Sequence, residues 1–188
     1  ERIFTPLPTE GIVVEINNPK YAEFESLWHN IRNRYSVTVD RGRAYLNWRF
    51  GRHPIFKYFF LTAQERNECR GYLVFRYEEY KGFKIARVID FIAEKQMEEV
   101  LLSAFVRRAR RDGAHAADFL FSGNLYHSAL SNSGFFNTDE TPFSNFPILF
   151  SPINYDKTFI NIAYDMSAPF SDCYFTKADG DQDRPNPY

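Results

Sequence analysis

The spacing of apolar residues changes period several times along the chain, and each change marks an element. Gly11 to Ile16 is short and β-branched and is broken by Asn17-Asn18-Pro19, which predicts a first strand. Phe24, Leu27, Trp28, Ile31 and Tyr35 then recur at the spacing of one helical face. Arg43 to Phe50 predicts a second short helix, stopped by Gly51 and Pro54. Extended segments follow. Tyr58–Ala63 predicts a strand, Gln64 to Arg70 a polar turn, and Gly71–Tyr77 the next strand. After a tight turn at Lys81-Gly82, Lys84–Ile92 completes a three-stranded antiparallel meander. From Gln96 to Arg111 the helical period returns, with Val100, Leu101, Ala104, Phe105 and Ala109 on one face. Glu98 and Glu99 lie near the start, Arg107, Arg108, Arg110 and Arg111 near the end, and Gly113 follows as a stop. Ala117–Phe121 predicts a strand and Leu125–Asn132 a short helix, and Gly134-Phe135 turns into a further strand. Phe146–Phe150 and Asp172–Thr176 predict late strands. The order fits an α+β domain, one mixed and mostly antiparallel sheet flanked by helices. It spans residues 1–176, and residues 177–188 form a loose polar tail.

Composition narrows the function classes. The 188 residues suit one domain, or one half of a two-domain protein, with a core that needs no disulfides. A formal net charge of −1 gives no global field toward nucleic acid or anionic lipid. The Arg107–Arg111 cluster reads as a solvated helix end rather than a nucleic-acid patch. Cys69 and Cys173 stand far apart, outside any zinc or disulfide motif. No apolar run is long enough for a membrane span and no signal peptide leads the chain, so the expected compartment is the cytoplasm. The chain starts at Glu1, and this leads us to expect an N-terminal partner domain in the same polypeptide.

Two stretches carry a likeness to a known family. Arg41-Gly42-Arg43-Ala44-Tyr45-Leu46-Asn47-Trp48-Arg49-Phe50, followed by His53-Pro54, resembles a YLxWRF…HP block. Tyr174-Phe175-Thr176, followed by Asp179-Gly180-Asp181-Gln182-Asp183, resembles the way the same proteins end. They are GNAT-like proteins, of the acyl-CoA N-acyltransferase superfamily, encoded with bacterial surface-polysaccharide genes. The resemblance runs from about Tyr21 to Arg184. It implies a GNAT-like fold, acetyl-CoA or another acyl-CoA as cofactor, and a small-molecule or glycan acceptor such as an amino sugar.

Mapping the family's working parts onto this sequence gives a mixed result. A GNAT enzyme holds the acyl-CoA pyrophosphate on a Gly-rich loop between the central strand and the next helix, where backbone N–H groups reach the phosphates. The corresponding residues begin at Ile92 and Ala93 and continue through Lys95 and Gln96. Ala93–Glu99 contains no glycine and three carboxylates, which compete with a diphosphate for the helix's positive end. A tyrosine four residues before Gly-Phe often protonates the leaving thiolate. Here Gly134-Phe135 is preceded at that spacing by Leu130, and Tyr126 lies one turn further back.

Other candidates carry two readings each. Asp90, in the apolar strand Val88–Ile92, is a general base if it faces a cleft and structural if it pairs with an arginine such as Arg87. Trp48, Arg49 and His53 could hold a sugar or an anion. Alternatively, Trp48 packs the second helix onto the sheet while Arg49 bonds loop carbonyls. Asp179, Asp181 and Asp183 alternate as in a calcium loop but lack its bidentate glutamate, so a solvated acidic tail is expected. His29, His115 and His127 have no ligand spacing, and no metal site is assigned. Two functions remain open: an N-acyltransferase module, or a degenerate GNAT-like domain that does not bind CoA. The latter would support an N-terminal catalytic domain, or bind a glycan or protein.

Overall fold

A computed structural model describes residues 12–17, 19–138, 162–164, 167–180 and 183. Its centre is a five-stranded sheet in the order β1 (Ile12–Ile16), β3 (Phe59–Glu65), β4 (Glu68–Tyr80), β5 (Phe83–Ala93), β6 (Ala116–Phe119). The β1–β3, β3–β4 and β4–β5 pairs are antiparallel and β5–β6 is parallel, so the expected α+β mixed sheet is present. Val37–Thr38 (β2) pairs in parallel with Cys173–Tyr174 (β7) in a separate two-stranded sheet. That corrects the expectation that the last strand joins the main sheet.

The meander is tighter than its polarity suggests. Gln64–Arg70 is mostly strand, and the turn is only Arg66-Asn67. Both of its residues sit at positive φ, 52° and 65°, as do Lys81 and Gly82 at 48° and 80°. Two-residue turns of this hand match the twist of the strands they join. The strand expected at 146–150 lies outside the described residues.

Helix α1 (Tyr21–Ile31) buries Phe24, Leu27, Trp28 and Ile31. Helix α3 (Glu98–Arg111) buries Val100, Leu101, Phe105 and Ala109, the face its periodicity predicts. Phe24 stacks at 4.7 Å on Tyr72, and Phe105 meets Phe75 at 5.2 Å. Residues 72 and 75 of one strand point to opposite faces, so α1 and α3 sandwich the sheet. Short helix α4 (His127–Asn132) lies beside α3, joined to it by Asn132 Nδ2 donating to Glu99 Oε1 at 2.6 Å. Among the described residues no helix is long and apolar enough to cross a membrane.

Helix α2 (Arg43–Leu46) passes into a π-helical turn over Asn47–Gly51, closed by Arg52 N donating to Asn47 O at 2.9 Å. The wider turn rotates the residues that follow. Trp48 is 66% exposed and does not pack the helix onto the sheet, whereas Arg49 and Phe50 turn inward.

The C-terminal segment is a correction as well. Lys177, Ala178 and Asp183, expected in a loose tail, are buried. A strap over residues 171–180 is stitched to the loop after β6. Ser122 N donates to Phe175 O at 2.9 Å, Asn124 N to Ser171 O at 3.0 Å, and Phe175 N to Ser122 Oγ at 2.9 Å. Gly123, between those anchors, has φ +79°, and a Cβ there would lie 2.2 Å from Cys173 O. Gly123→Ala is therefore expected to cost about 1–3 kcal/mol, through overpacking and a left-handed backbone. Urea unfolding measures this, and an unchanged midpoint would mean the strap is not held at this point.

Candidate functional site

Of the sequence-derived candidates, Asp90 lies in a buried network with Tyr72, on the face of the sheet that carries α1, and Tyr126 lies in a tyrosine cluster beside β5. Opposite Val74 and Phe75, β5 has one extra residue: Val74 pairs with Asp90 and Phe75 with Val88, and Ile89 is bulged. Parallel pairing with β6 ends at the same level, at Val88–Phe119. Past this point β5 has β4 on one side and an opening on the other. Glu94 N donates to Arg70 O in β4, so the alternate residues Phe91 and Ala93 turn their backbone groups away from β4, toward the opening.

The chain's own side chains fill that opening. Tyr174 donates its hydroxyl to Phe91 O at 2.5 Å, and Arg34 Nη1 donates to Ala93 O at 2.6 Å. The Tyr35 and Tyr126 hydroxyls meet at 2.5 Å, and Tyr174 lies 5.0 Å from the Tyr35 ring and 5.5 Å from that of Tyr126. Arg34 stands over the Tyr126 ring and pairs with Glu98 Oε1 at 2.7 Å. Burial pushes the Tyr35 hydroxyl up to about 12 and drives Tyr126 and Tyr174 well above the ordinary tyrosine value. At neutral pH all three are neutral hydrogen-bonding groups. Tyr126, at φ 69° before α4, is buried in this cluster.

Above the cluster lies a buried charge centre. Arg41 and Asp90 are both 0% exposed. Arg41 Nη2 donates to Asp90 Oδ1 at 3.2 Å and to Asp179 Oδ2 at 2.6 Å, and Nη1 donates to Thr38 Oγ1 and Val39 O. Asp90 also accepts from Thr176 Oγ1 at 3.1 Å and from the Tyr72 hydroxyl at 3.1 Å. Asp90 thus pairs with an arginine, but with Arg41 rather than Arg87. Burial opposes the Arg41 charge, but Asp90 and Asp179 more than offset this and hold its pKa well above the ordinary arginine value. Burial pushes the Asp179 carboxyl up against the pull of Arg41.

A second centre holds the end of the strap. Asp183 accepts from Arg49 Nη2 at 2.9 Å, Arg76 Nε at 2.6 Å and the Tyr58 hydroxyl at 2.5 Å. Arg49 also donates to Ala178 O at 3.0 Å, the loop-carbonyl bond expected of it. Asp179 and Asp183 are therefore arginine partners rather than members of a solvated acidic tail, while Asp181 lies outside the described residues. His53 is half-buried, stacks on Phe56 and accepts from Phe56 N through Nδ1 at 2.9 Å. That ring closes its own turn. The described residues contain no group of three or more potential metal ligands.

Several backbone groups are already bonded where the resemblance places an acyl-CoA. Ala93 O is taken by Arg34, Glu94 N by Arg70 O and Met97 N by Glu94 O. Ile92 is buried, while Lys95 and Gln96 are exposed on a 3₁₀ turn that precedes α3. Sequence reasoning assigned no site role to Arg34, Arg41, Tyr72, Tyr174 or Thr176, although Arg41, Tyr174 and Thr176 stand in the two blocks that carry the resemblance. A further signal was Asp90, a carboxylate within an apolar strand, which demands a cation somewhere. Asp90→Ala leaves Arg41 buried with one carboxylate fewer and is expected to cost about 3–5 kcal/mol. Denaturant unfolding measures it, and a cost near zero would mean that Asp90 is not part of the buried network.

No protein-family model matches the chain, and no curated protein matches it. Several solved structures that match part of the chain are acetyltransferases. One is an aminoglycoside acetyltransferase from an uncultured soil metagenomic sample, in complex with sisomicin: 12% identity, TM-score 0.49, covering 83% of this chain and 97% of that one. A predicted acetyltransferase from Clostridium acetobutylicum with acetyl-CoA gives 14%, 0.49, 69% and 92%. A GNAT family acetyltransferase from Staphylococcus aureus gives 17%, 0.48, 68% and 93%. At such identities and overlaps the likeness brings no activity, substrate or cofactor to this chain.

Proposed function

We propose that this chain is a GNAT-like domain that does not bind acyl-CoA and acts as the supporting, non-catalytic half of an acyltransferase polypeptide. One observation carries this reading: the opening beside β5 is filled from within. An acyl-CoA arm carries amides that would pair with a free strand edge, as an added strand does. Phe91 O and Ala93 O, the carbonyls that face the opening, are bonded to Tyr174 and Arg34. The absence of glycine from Ala93–Glu99, and the carboxylates of Glu94, Glu98 and Glu99, work in the same direction. Asp90 has both oxygens engaged and no exposed surface, so it meets no substrate amine as a general base. The supported partner is a catalytic domain N-terminal to this one in the same polypeptide.

A second reading keeps acyl transfer from acyl-CoA to an amino-sugar acceptor. The observation in its favour is the strand opening itself, at the β5 bulge where β5–β6 pairing ends. Isothermal titration of the chain with acetyl-CoA separates the two. The supporting-domain reading predicts no saturable heat at ligand concentrations on the order of 1 mM. Saturable binding at micromolar concentration would replace it with the acyltransferase reading.

A further inference from the structure

A hollow of about 410 Å³ opens where the end of α1 meets β2. It shares Tyr35 with the cluster that fills the opening but lies away from the β5 edge. Trp28 and Tyr35 form its floor, stacked on each other at 5.6 Å. Both rings are nearly fully buried, so a ligand would touch their edges and find its main partners on the rim.

The rim carries both signs of charge within one small space. The side chains of Arg32, Asn33 and Ser36 are exposed and have no hydrogen-bond or ion-pair partner among the described residues. Opposing them are two groups already fixed in position. Asp40 accepts from Trp28 Nε1 at 2.7 Å through Oδ1 and from Gly42 N at 3.1 Å through Oδ2. Each of its oxygens keeps a lone pair for a further donor. Thr38 Oγ1 accepts from Arg41 Nη1 at 2.9 Å, which leaves its own proton to donate.

This arrangement selects by charge. A simple anion that approached Arg32 would face the Asp40 carboxylate, and a simple cation would meet the reverse. A neutral group that both donates and accepts at close spacing satisfies every side of the rim. Adjacent hydroxyls do this, donating to Asp40 while accepting from Arg32, Asn33 and Thr38. The volume falls within the range of small-molecule sites. We infer that this hollow binds a neutral polyhydroxylated ligand, a sugar ring, whether or not the β5–β6 opening ever takes acyl-CoA.

The chain contains only two tryptophans, Trp28 at the floor and the exposed Trp48. Trp48→Phe therefore makes Trp28 the sole tryptophan reporter without disturbing the core. In that background we would titrate a panel of neutral sugars (glucose, galactose, mannose, N-acetylglucosamine and their disaccharides), with calorimetry as a second readout. Glucuronate and inorganic phosphate serve as anionic probes and glucosamine as the cationic one. The expected result is saturation by at least one neutral sugar at half-saturation on the order of 1 mM. Arg32→Ala and Asn33→Ala should each weaken it by about tenfold or more, with unchanged melting temperatures because both side chains are exposed and unpartnered. Saturation by none of the neutral sugars, or by a charged probe alone, overturns the inference. So does sugar binding that survives both substitutions, which would place the site elsewhere.

Discussion

Arg41 is a full positive charge with no contact to water, and much of the fold is arranged to neutralise it. An unpaired ion in such a place would cost several kcal/mol, so its partners cannot be optional. One partner, Asp90, comes from the middle of the central strand, and the other, Asp179, comes from the far end of the chain. Thr176 bonds to both carboxylates and starts a capped turn at Lys177–Asp179. A chain that buries Arg41 must therefore bring its C-terminal segment back across β5. The strap follows from this electrostatic demand as much as from apolar packing.

The strap also determines what the fold can do. Once residues 173–180 lie across the sheet, Tyr174 reaches the edge of β5 and closes the space beyond the last β6 pairing. Arg34 completes the closure from the other side, and its pairing with Glu98 sets a carboxylate, not a phosphate, at the start of α3. In another chain the same strand order could leave an edge open to a ligand. Here that edge is internal structure. Strand order therefore does not settle the function of this chain.

Local features were legible in the sequence, and long-range ones were not. The amphipathic face of α3, the Lys81-Gly82 turn and the three-stranded meander could be read because each depends on near neighbours. Asp90 stood out as anomalous, but its partner lies 49 positions back in a segment with no periodicity. The tail was misread for a related reason. Lys177, Asp179 and Asp183 look solvated when counted as charges, and only the fold supplies Asp118, Arg41, Arg49 and Arg76 as their partners. Trp48 is exposed rather than packed on the sheet because a π-turn does not keep the helical period on which that expectation rested. Arg32 and Asn33 gave no sequence signal at all, since two polar residues at a helix end are ordinary there.

Hydrogen exchange along the strap reports whether residues 173–180 belong to the core. Amides held there, such as Asp179 N on Thr176 O, should open only with global unfolding, as slowly as those of β4 and β5. Exchange of the strap at the rate of an exposed tail, with the sheet still protected, would contradict it. The strap would then be detachable, and the edge of β5 would be free for a ligand.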